Sequence, residues 1–485
     1  MEIESIKPFL AFAVSLFGAV LIVATRKSPN IREGCSVAAA SMMFLIVLSM
    51  IPEVLAGNKL NFTLFSIVDG ISMSFRVDAL GLLFAITAAF LWLLITLYSI
   101  GYMRSLKEHA QTRYYLCFAI ILSASMGVAF AANLLTLYVC YELVGFFAYP
   151  LVVHKDTEMS YGRGNSYIFY IFVLGKLFLL ACFLVYGLSG SLDFNPKGIF
   201  PSTVAPMLLI LTFILFLIGI SKAAMMPFHR WLPAAMDGPL PVIATLAVVD
   251  IGAFAILRTA YFLFGLDTLK ELNLGLPLLV LASITIVAAS IMALTRDDLK
   301  ARLVYSTIGQ ISYTLLGAAL LMPAALTGGL LQIVNHGIAK VALFFCVGAI
   351  FVASGKTRVS QMNGIGKQMP LTMTAFTLGA LSIIGFPPLA GFVSKWYLVL
   401  GAVEADQYAV IAVLVFSSIL SASYLLPIVY AAFFKDLPPG ETNERREAPA
   451  IMLVPLMLAA IGTLLLFFTP SIFFDLAKMV VGDVG

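Results

Sequence analysis

The chain has 485 residues, 61% of them hydrophobic and only 11% charged, with a net charge of +4. That balance excludes a soluble domain and places the chain among polytopic membrane proteins. The basic residues are dispersed among loops, which excludes a nucleic-acid-binding face. No nucleotide loop, dinucleotide fingerprint, or haem or iron–sulfur cysteine pattern is present, so no cofactor and no metal are expected.

At roughly 20 residues per crossing, the chain has room for about fourteen helices. The apolar runs place them at 5–24, 34–55, 77–100, 112–131, 133–153, 164–187, 205–226, 240–264, 274–295, 302–322, 325–354, 370–402, 408–434 and 449–474. The first run follows an acidic start with no small-residue cleavage site, so it reads as a span and not as a signal segment. Residues 56–76 alternate polar and apolar side chains, the pattern of a short outer hairpin. Residues 435–449 (KDLPPGETNERREAP) form the longest hydrophilic loop. The five cysteines, Cys35, Cys117, Cys140, Cys182 and Cys346, show no metal spacing and read as small buried hydrophobes.

Lysine and arginine placement tests this count. Loops after odd-numbered spans hold eighteen basic residues and the opposite side six. By the positive-inside rule both termini then lie outside the cytoplasm. Five basic residues remain inside spans: Lys176, Lys222, Arg258, Lys340 and Lys395. Arg258, near a helix end, is expected to snorkel. The acidic residues well inside spans are Glu142 and Asp250.

Two stretches organise the rest. SKAAMMPFHRWLP, residues 221–233, puts Lys222 at the end of an apolar run and follows it with Pro227 and Pro233. An ammonium in hydrocarbon costs several kcal/mol, about 3 on insertion scales, and proline breaks the helix. A chain tolerates both where broken helix ends line a polar cavity. GFPPLAGFVSKW, residues 385–396, repeats the arrangement with Lys395. The matched breaks suggest a duplicated body. Three N-terminal helices would occupy 1–111, two inverted five-helix repeats 112–264 and 265–435, and a last helix 436–485.

Each intramembrane charge has a reading in chemistry. A lone Glu142 would stay neutral; Lys222 is its natural partner, and opening or closing such a pair moves a proton. The bland alternative is a static ion pair, which stabilises less than apolar packing. His336 and Lys340 are four apart, share a helical face and suit a proton relay. Lys395 would exchange with water near the outer face, or simply snorkel. Lys176 and Asp250 would either extend the polar path or neutralise each other. His229 and Arg230 read as mouth residues, and His109 and His154 as solvated loop histidines. Asp297, Asp298 and Lys300 read as capping and anchoring groups.

Taken together, SKAAMMPFHRWLP, DDLKARLVYSTIGQ, NHGIAKVALFF and GFPPLAGFVSKW resemble the antiporter-like membrane subunits shared by respiratory complex I, membrane-bound hydrogenases and Mrp sodium/proton antiporters. The resemblance runs from about Asp78 to Lys395. It implies fourteen helices, inverted five-helix repeats and a proton route along a mid-membrane row of charges. The family's helix-five glutamate would be Glu142 and its helix-seven lysine Lys222. Its helix-eleven histidine and lysine would be His336 and Lys340, and its helix-twelve residue Lys395. One departure stands out: helix eight carries Asp250 near the place of the family's lysine, which puts transfer between the halves in question.

Length favours an Mrp D-type subunit or its relative in a ferredoxin- or hydrogenase-linked complex over the largest complex I member. The expectation is a proton-translocating subunit in a prokaryotic plasma membrane, with other membrane subunits as partners and sodium as a second candidate ion. The rival expectations are a stand-alone transporter of a small ion and a structural anchor with an inactive channel.

Overall fold

The computed structural model describes residues 1–68, 71–248 and 250–485. Among the described residues, eleven helices are long and apolar enough to cross a bilayer. Six belong to the N-terminal part: Lys7–Ala24, Pro29–Leu55, Ala79–Ser105, Gln111–Ala129, Leu134–Val152 and Glu158–Ser189. The others are Ile251–Glu271, Gly275–Leu294, Pro323–Ser354, Tyr408–Phe434 and Ala450–Phe468.

The expected spans that are missing from this set fail for physical reasons. Pro206–Gly219 and Pro370–Ile384 are apolar but short, because each stops at a break beside a lysine. Leu299–Ala319 has the length but carries Lys300, Arg302, Ser306 and Gln310. Nearly all of it is buried, so its polar side chains meet protein and not lipid. The expected eighth span, 240–264, enters the set through Ile251–Glu271 but is not continuous. It divides into Leu240–Val248 and Ile251–Thr259, followed by a π-helical turn at Ala260–Phe264.

The fold is mostly helical but not wholly so. Three short strands, β1 (Glu2–Glu4), β2 (Lys59–Val68) and β3 (Ile71–Val77), form a sheet in the order β1-β2-β3. The β2–β3 pair is the expected hairpin, antiparallel with Phe62 opposite Phe75. The first strand joins β2 in parallel, with Ile3 opposite Leu60; three residues carry too little alternation to announce a strand. The sheet is tied to the bundle by Asn133, whose Nδ2 donates to the Ser72 carbonyl at 2.8 Å, and by Arg76, which donates to the Phe194 carbonyl at 2.7 Å.

Asp78 links this sheet to the core. Its Oδ1 accepts from the Gly81 amide at 2.8 Å and caps Ala79–Ser105. The same carboxylate takes both guanidinium nitrogens of Arg258. Arg258 therefore does not snorkel. Its side chain is 1% exposed, and Phe262 lies 4.6 Å from the guanidinium. Helix Ala79–Ser105 packs against Pro323–Ser354, where the Tyr98 ring stacks on Phe345 at 3.9 Å and its hydroxyl donates to the Phe345 carbonyl. Pro323–Ser354, 32 residues long, is the hub of the molecule. It contacts Leu240–Val248, Leu299–Ala319, Pro370–Ile384, Ala390–Glu404 and Ala450–Phe468.

Candidate functional site: a buried row of polar side chains

The first break is built from backbone that has lost its helical partners and found others. Helix Pro206–Gly219 ends at Ile220, and Ser221–Ala223 form one 3₁₀ turn. Ala224 follows at φ 53°. The Trp231 indole donates to the freed Ser221 carbonyl at 2.9 Å. The Ser221 hydroxyl donates to the Tyr170 carbonyl at 2.6 Å, and the Lys222 amide to the Tyr141 hydroxyl at 3.0 Å. Chain approach here is close: a Cβ on Gly252 would lie 1.9 Å from the Ala223 nitrogen.

Lys222 is buried within this turn. Its Nζ donates to the Tyr141 carbonyl at 2.9 Å and lies 3.4 Å from the Tyr141 ring centre, a cation–π contact. Beside it is a small cavity of about 20 Å³, lined in part by Ser125, Tyr167, Trp231 and Thr245; that is room for about one water. Glu142 is not in ion-pair contact with Lys222: no bridge within 4.0 Å joins them among the described residues. Glu142 Oε1 is buried without a hydrogen-bond partner and lies where a Cβ on Gly175 would be, 2.5 Å away. Lys222 Nζ is packed against Gly145 in the same way, at 3.2 Å. The carboxylate and the ammonium thus occupy separate glycine-floored niches.

Asp250 sits at the interruption of the eighth segment, and its carbonyl accepts the first bond of Ile251–Thr259 from Phe254 at 2.8 Å. Its partner is His336, not Lys176. The His336 Nδ1 lies 3.4 Å from Asp250 Oδ2, and both side chains are fully buried. None of their four ring and carboxylate heteroatoms makes a conventional hydrogen bond. Lys176, by contrast, is exposed. It follows Gly175, which faces Glu142, and adjacent helical positions point about 100° apart. The expectation that Lys176 and Asp250 neutralise each other is therefore overturned.

From His336 the row continues on Pro323–Ser354, since Gln332, His336 and Lys340 share one face at intervals of four. Lys340 Nζ donates to Ser306 Oγ at 2.6 Å and to the Leu303 carbonyl at 3.2 Å. Ser306 in turn bonds the Tyr424 hydroxyl at 2.7 Å. In the other direction Gln332 bonds Gln310 at 2.9 Å and accepts from Ser394 at 2.6 Å. Ser394 is the neighbour of Lys395. Sequence reading missed Gln332, Gln310 and Ser394 because it counted charges alone; the interval of four from His336 was the available signal.

The second break resembles the first in plan. Pro370–Ile384 ends at Gly385, φ 89°, and Ala390–Glu404 resumes after the two prolines. A Cβ on Gly391 would lie 1.9 Å from the Ser382 carbonyl oxygen. Lys395 Nζ donates to the Ile383 and Ile384 carbonyls, at 2.9 and 3.0 Å, and to Ser418 Oγ at 3.0 Å. It caps the end of the half-helix before it, where the helix dipole favours a cation. A groove of about 400 Å³, lined by Phe392, Trp396, Leu414 and Ile419, opens beside it.

A mouth lies at the loop side of the molecule. Glu108, Lys155, Arg163, Asp237, Asp298 and Lys300 line a cavity of about 480 Å³. Asp298 caps Leu299–Ala319 as expected, accepting from the Ala301 amide at 2.8 Å. His154 is not solvated; it is fully buried.

Comparison with known proteins agrees with this architecture. Residues 131–421 match the family described as NADH:quinone oxidoreductase/Mrp antiporter, transmembrane. Residues 66–115 match the N-terminal region of complex I chain 5. NADH-quinone oxidoreductase subunit N of Desulforudis audaxviator (strain MP104C) is 35% identical over 403 residues, 79% of each chain. Na(+)/H(+) antiporter subunit A1 of Staphylococcus haemolyticus (strain JCSC1435) is 29% identical over 87% of this chain, which spans 55% of that protein.

Two solved structures share the fold. One is from the Mrp complex of Dietzia sp. DQ12-45-1b, with TM-score 0.88 and 22% identity. The other is from an archaeal membrane-bound sulfane sulfur reductase, with TM-score 0.90 and 23% identity. Each comparison covers 99% of this chain and 98% of the other. The likeness extends to A-type and N-type subunits alike, a level coarser than the D-type likeness expected from length. With its broken helices, its buried lysines and a family match over more than half its length, the chain belongs to the NADH:quinone oxidoreductase/Mrp antiporter family of membrane subunits.

Proposed function

We propose that this chain is the proton-translocating subunit of a multisubunit membrane complex, of the Mrp antiporter or complex I-related kind. Protons enter near Lys222 and pass by Asp250, His336 and Lys340 to Lys395. The observation that carries this reading is the Asp250–His336 pair, fully buried and without other partners. It lies two residues before Gly252, which packs on the Lys222 turn, and four before Lys340. An acid at this place supplies a proton acceptor between the two lysines, so the exchange of lysine for aspartate in helix eight need not close the route. The same observation disfavours an anchor with an inactive channel.

In this scheme Glu142 and Lys222 are in their opened arrangement, and their closing restores the ammonium. Such a subunit holds no redox centre, and partner subunits supply electrons or the second ion, sodium being the candidate. The names of the relatives support this partnership. Fourteen crossings follow if, beside the eleven long apolar helices, the two broken elements and the polar Leu299–Ala319 each cross once. The matched breaks, each with a lysine and a glycine-tight turn, support two inverted five-helix repeats at 112–264 and 265–435. They would be flanked by three helices over 1–111 and one over 436–485, and the basic-residue asymmetry puts both termini outside the cytoplasm.

The experiment is proton uptake by vesicles carrying the assembled complex. Lys222→Ala is expected to abolish uptake while leaving assembly intact. Undiminished uptake by a fully assembled variant would remove the proposal. Uptake by vesicles holding this chain alone would favour a stand-alone transporter instead.

A further inference from the structure

Two loops meet at the mouth: the one after Ala79–Ser105, with Glu108 and His109, and the one after Leu134–Val152, with His154. A carboxylate oxygen of Glu108 and one ring nitrogen from each histidine lie within 4.8 Å of one another. His154 Nε2 is 3.7 Å from Glu108 Oε2, and the His109 and His154 rings stack at 4.6 Å. Such clusters are common on surfaces and mean little when every member is solvated. Here one member is not: the His154 side chain is 0% exposed, and both its ring nitrogens lack any hydrogen-bond partner. A buried imidazole left unsatisfied costs free energy, on the order of 1–3 kcal/mol, unless something takes its lone pair. A carboxylate oxygen that can serve the same ion lies 3.7 Å from Nε2.

We infer that Glu108, His109 and His154 form a binding site for a divalent transition metal of the zinc class. Two imidazoles and one carboxylate are a known zinc donor set with a position left open, and imidazole donors select against calcium and magnesium. At metal–ligand distances of about 2.0–2.1 Å, tetrahedral donors stand roughly 3.3 Å apart. The present spacing, up to 4.8 Å, therefore needs a contraction of up to about 1.5 Å, which the half-buried Glu108 and the exposed His109 supply while His154 stays fixed. Asp156 is placed to orient His109, with Oδ2 3.1 Å from Nε2, as outer-shell carboxylates do. Of the nearby cations, Arg113 is neutralised by Asp156 at 3.5 Å, while Lys155 and Lys300 line the same cavity as Glu108. A metal here would add to the His109–Asp156 bond that already ties the two loops, and would fix Glu108 on the rim of the polar mouth.

The test is titration of the full-length chain, without a histidine tag and in lipid nanodiscs, with Co²⁺ followed by Zn²⁺ competition. The expected result is one equivalent of Co²⁺ giving intense visible bands of tetrahedral type, displaced by Zn²⁺. His154→Gln and His109→Gln should each weaken binding by at least the roughly tenfold to hundredfold that loss of an outer-shell partner costs, and His229→Gln should not. His109 is exposed, so its variant tests the site even if the His154 variant fails to fold. No saturable spectrum, or unchanged affinity in His109→Gln, would overturn the assignment.

Discussion

The two helix breaks share a plan and differ in what they do with their lysine. At the first, the ammonium leaves its own segment and reaches across to the Tyr141 carbonyl and ring, beside a narrow cavity of about 20 Å³. At the second, Lys395 turns back on the half-helix that precedes it, taking the Ile383 and Ile384 carbonyls beside an open groove of about 400 Å³. The first lysine has one hydrogen bond and a carboxylate niche nearby; the second has three bonds and no acidic partner among the described residues. A cation with a single bond and a nearby counter-charge is poised to change state. One that caps a helix and faces an open groove is suited to the end of a route.

The comparison can be broken most severely at its shared glycines. Gly252→Val and Gly391→Val each place a side chain against backbone only 1.9 Å from Cβ, so neither neighbour can yield. Both should cost at least about 3 kcal/mol, read as loss of assembled complex from membranes. If either variant assembles normally, that break is looser than its geometry says.

The next effect is on transfer. Asp250→Asn should leave assembly intact, because the carboxylate makes no conventional hydrogen bond to lose. It should slow proton uptake by on the order of tenfold or more, the share of a general acid–base group. Uptake at the natural rate would remove the link between the halves.

Both lysines are buried alike, and the cavity beside each separates them more gently. A cysteine at 395, next to a groove of about 400 Å³, should react with a membrane-permeant thiol reagent on the order of tenfold faster than one at 222, next to a cavity of about 20 Å³. Equal rates would erase the contrast between narrow and wide. Ser418→Ala removes one of three bonds to Lys395 and should cost about 1 kcal/mol, seen as a small drop in melting temperature.

The smallest expected effect lies outside the membrane. Bonds from the Ser360 hydroxyl and amide hold Asp297 below the usual carboxylate range. This carboxylate therefore contributes stability above the ordinary carboxylate pKa and loses it as pH falls through its lowered value. Ser360→Ala should flatten the acid side of the stability profile slightly.

Much of this site could be read from residue type and spacing. Lys222 and Lys395 were conspicuous because each sits by proline inside an apolar run, and His336 and Lys340 because they are four apart. What stayed hidden depended on rotation and long-range pairing. Lys176 and Glu142 belong to neighbouring helices, yet a turn of about 100° from Gly175 sends the lysine outward. Arg258 and Asp78 are 180 positions apart, so no local pattern could show that they neutralise each other. His154 looked like any loop histidine until the fold closed over it. The first strand was invisible because three residues borrow their alternation from a partner near residue 60.

The 32-residue helix at the centre carries one more consequence. His336 and Lys340 lie on it four positions apart, which at about 1.5 Å per residue is roughly 6 Å along its axis. In a hydrocarbon layer near 30 Å thick, a charge handed between those two levels crosses about a fifth of the electric field. For each 100 mV across the membrane that passage is worth on the order of 0.5 kcal/mol. The sideways relay would thus be a ramp as well, and its middle step would feel the voltage directly.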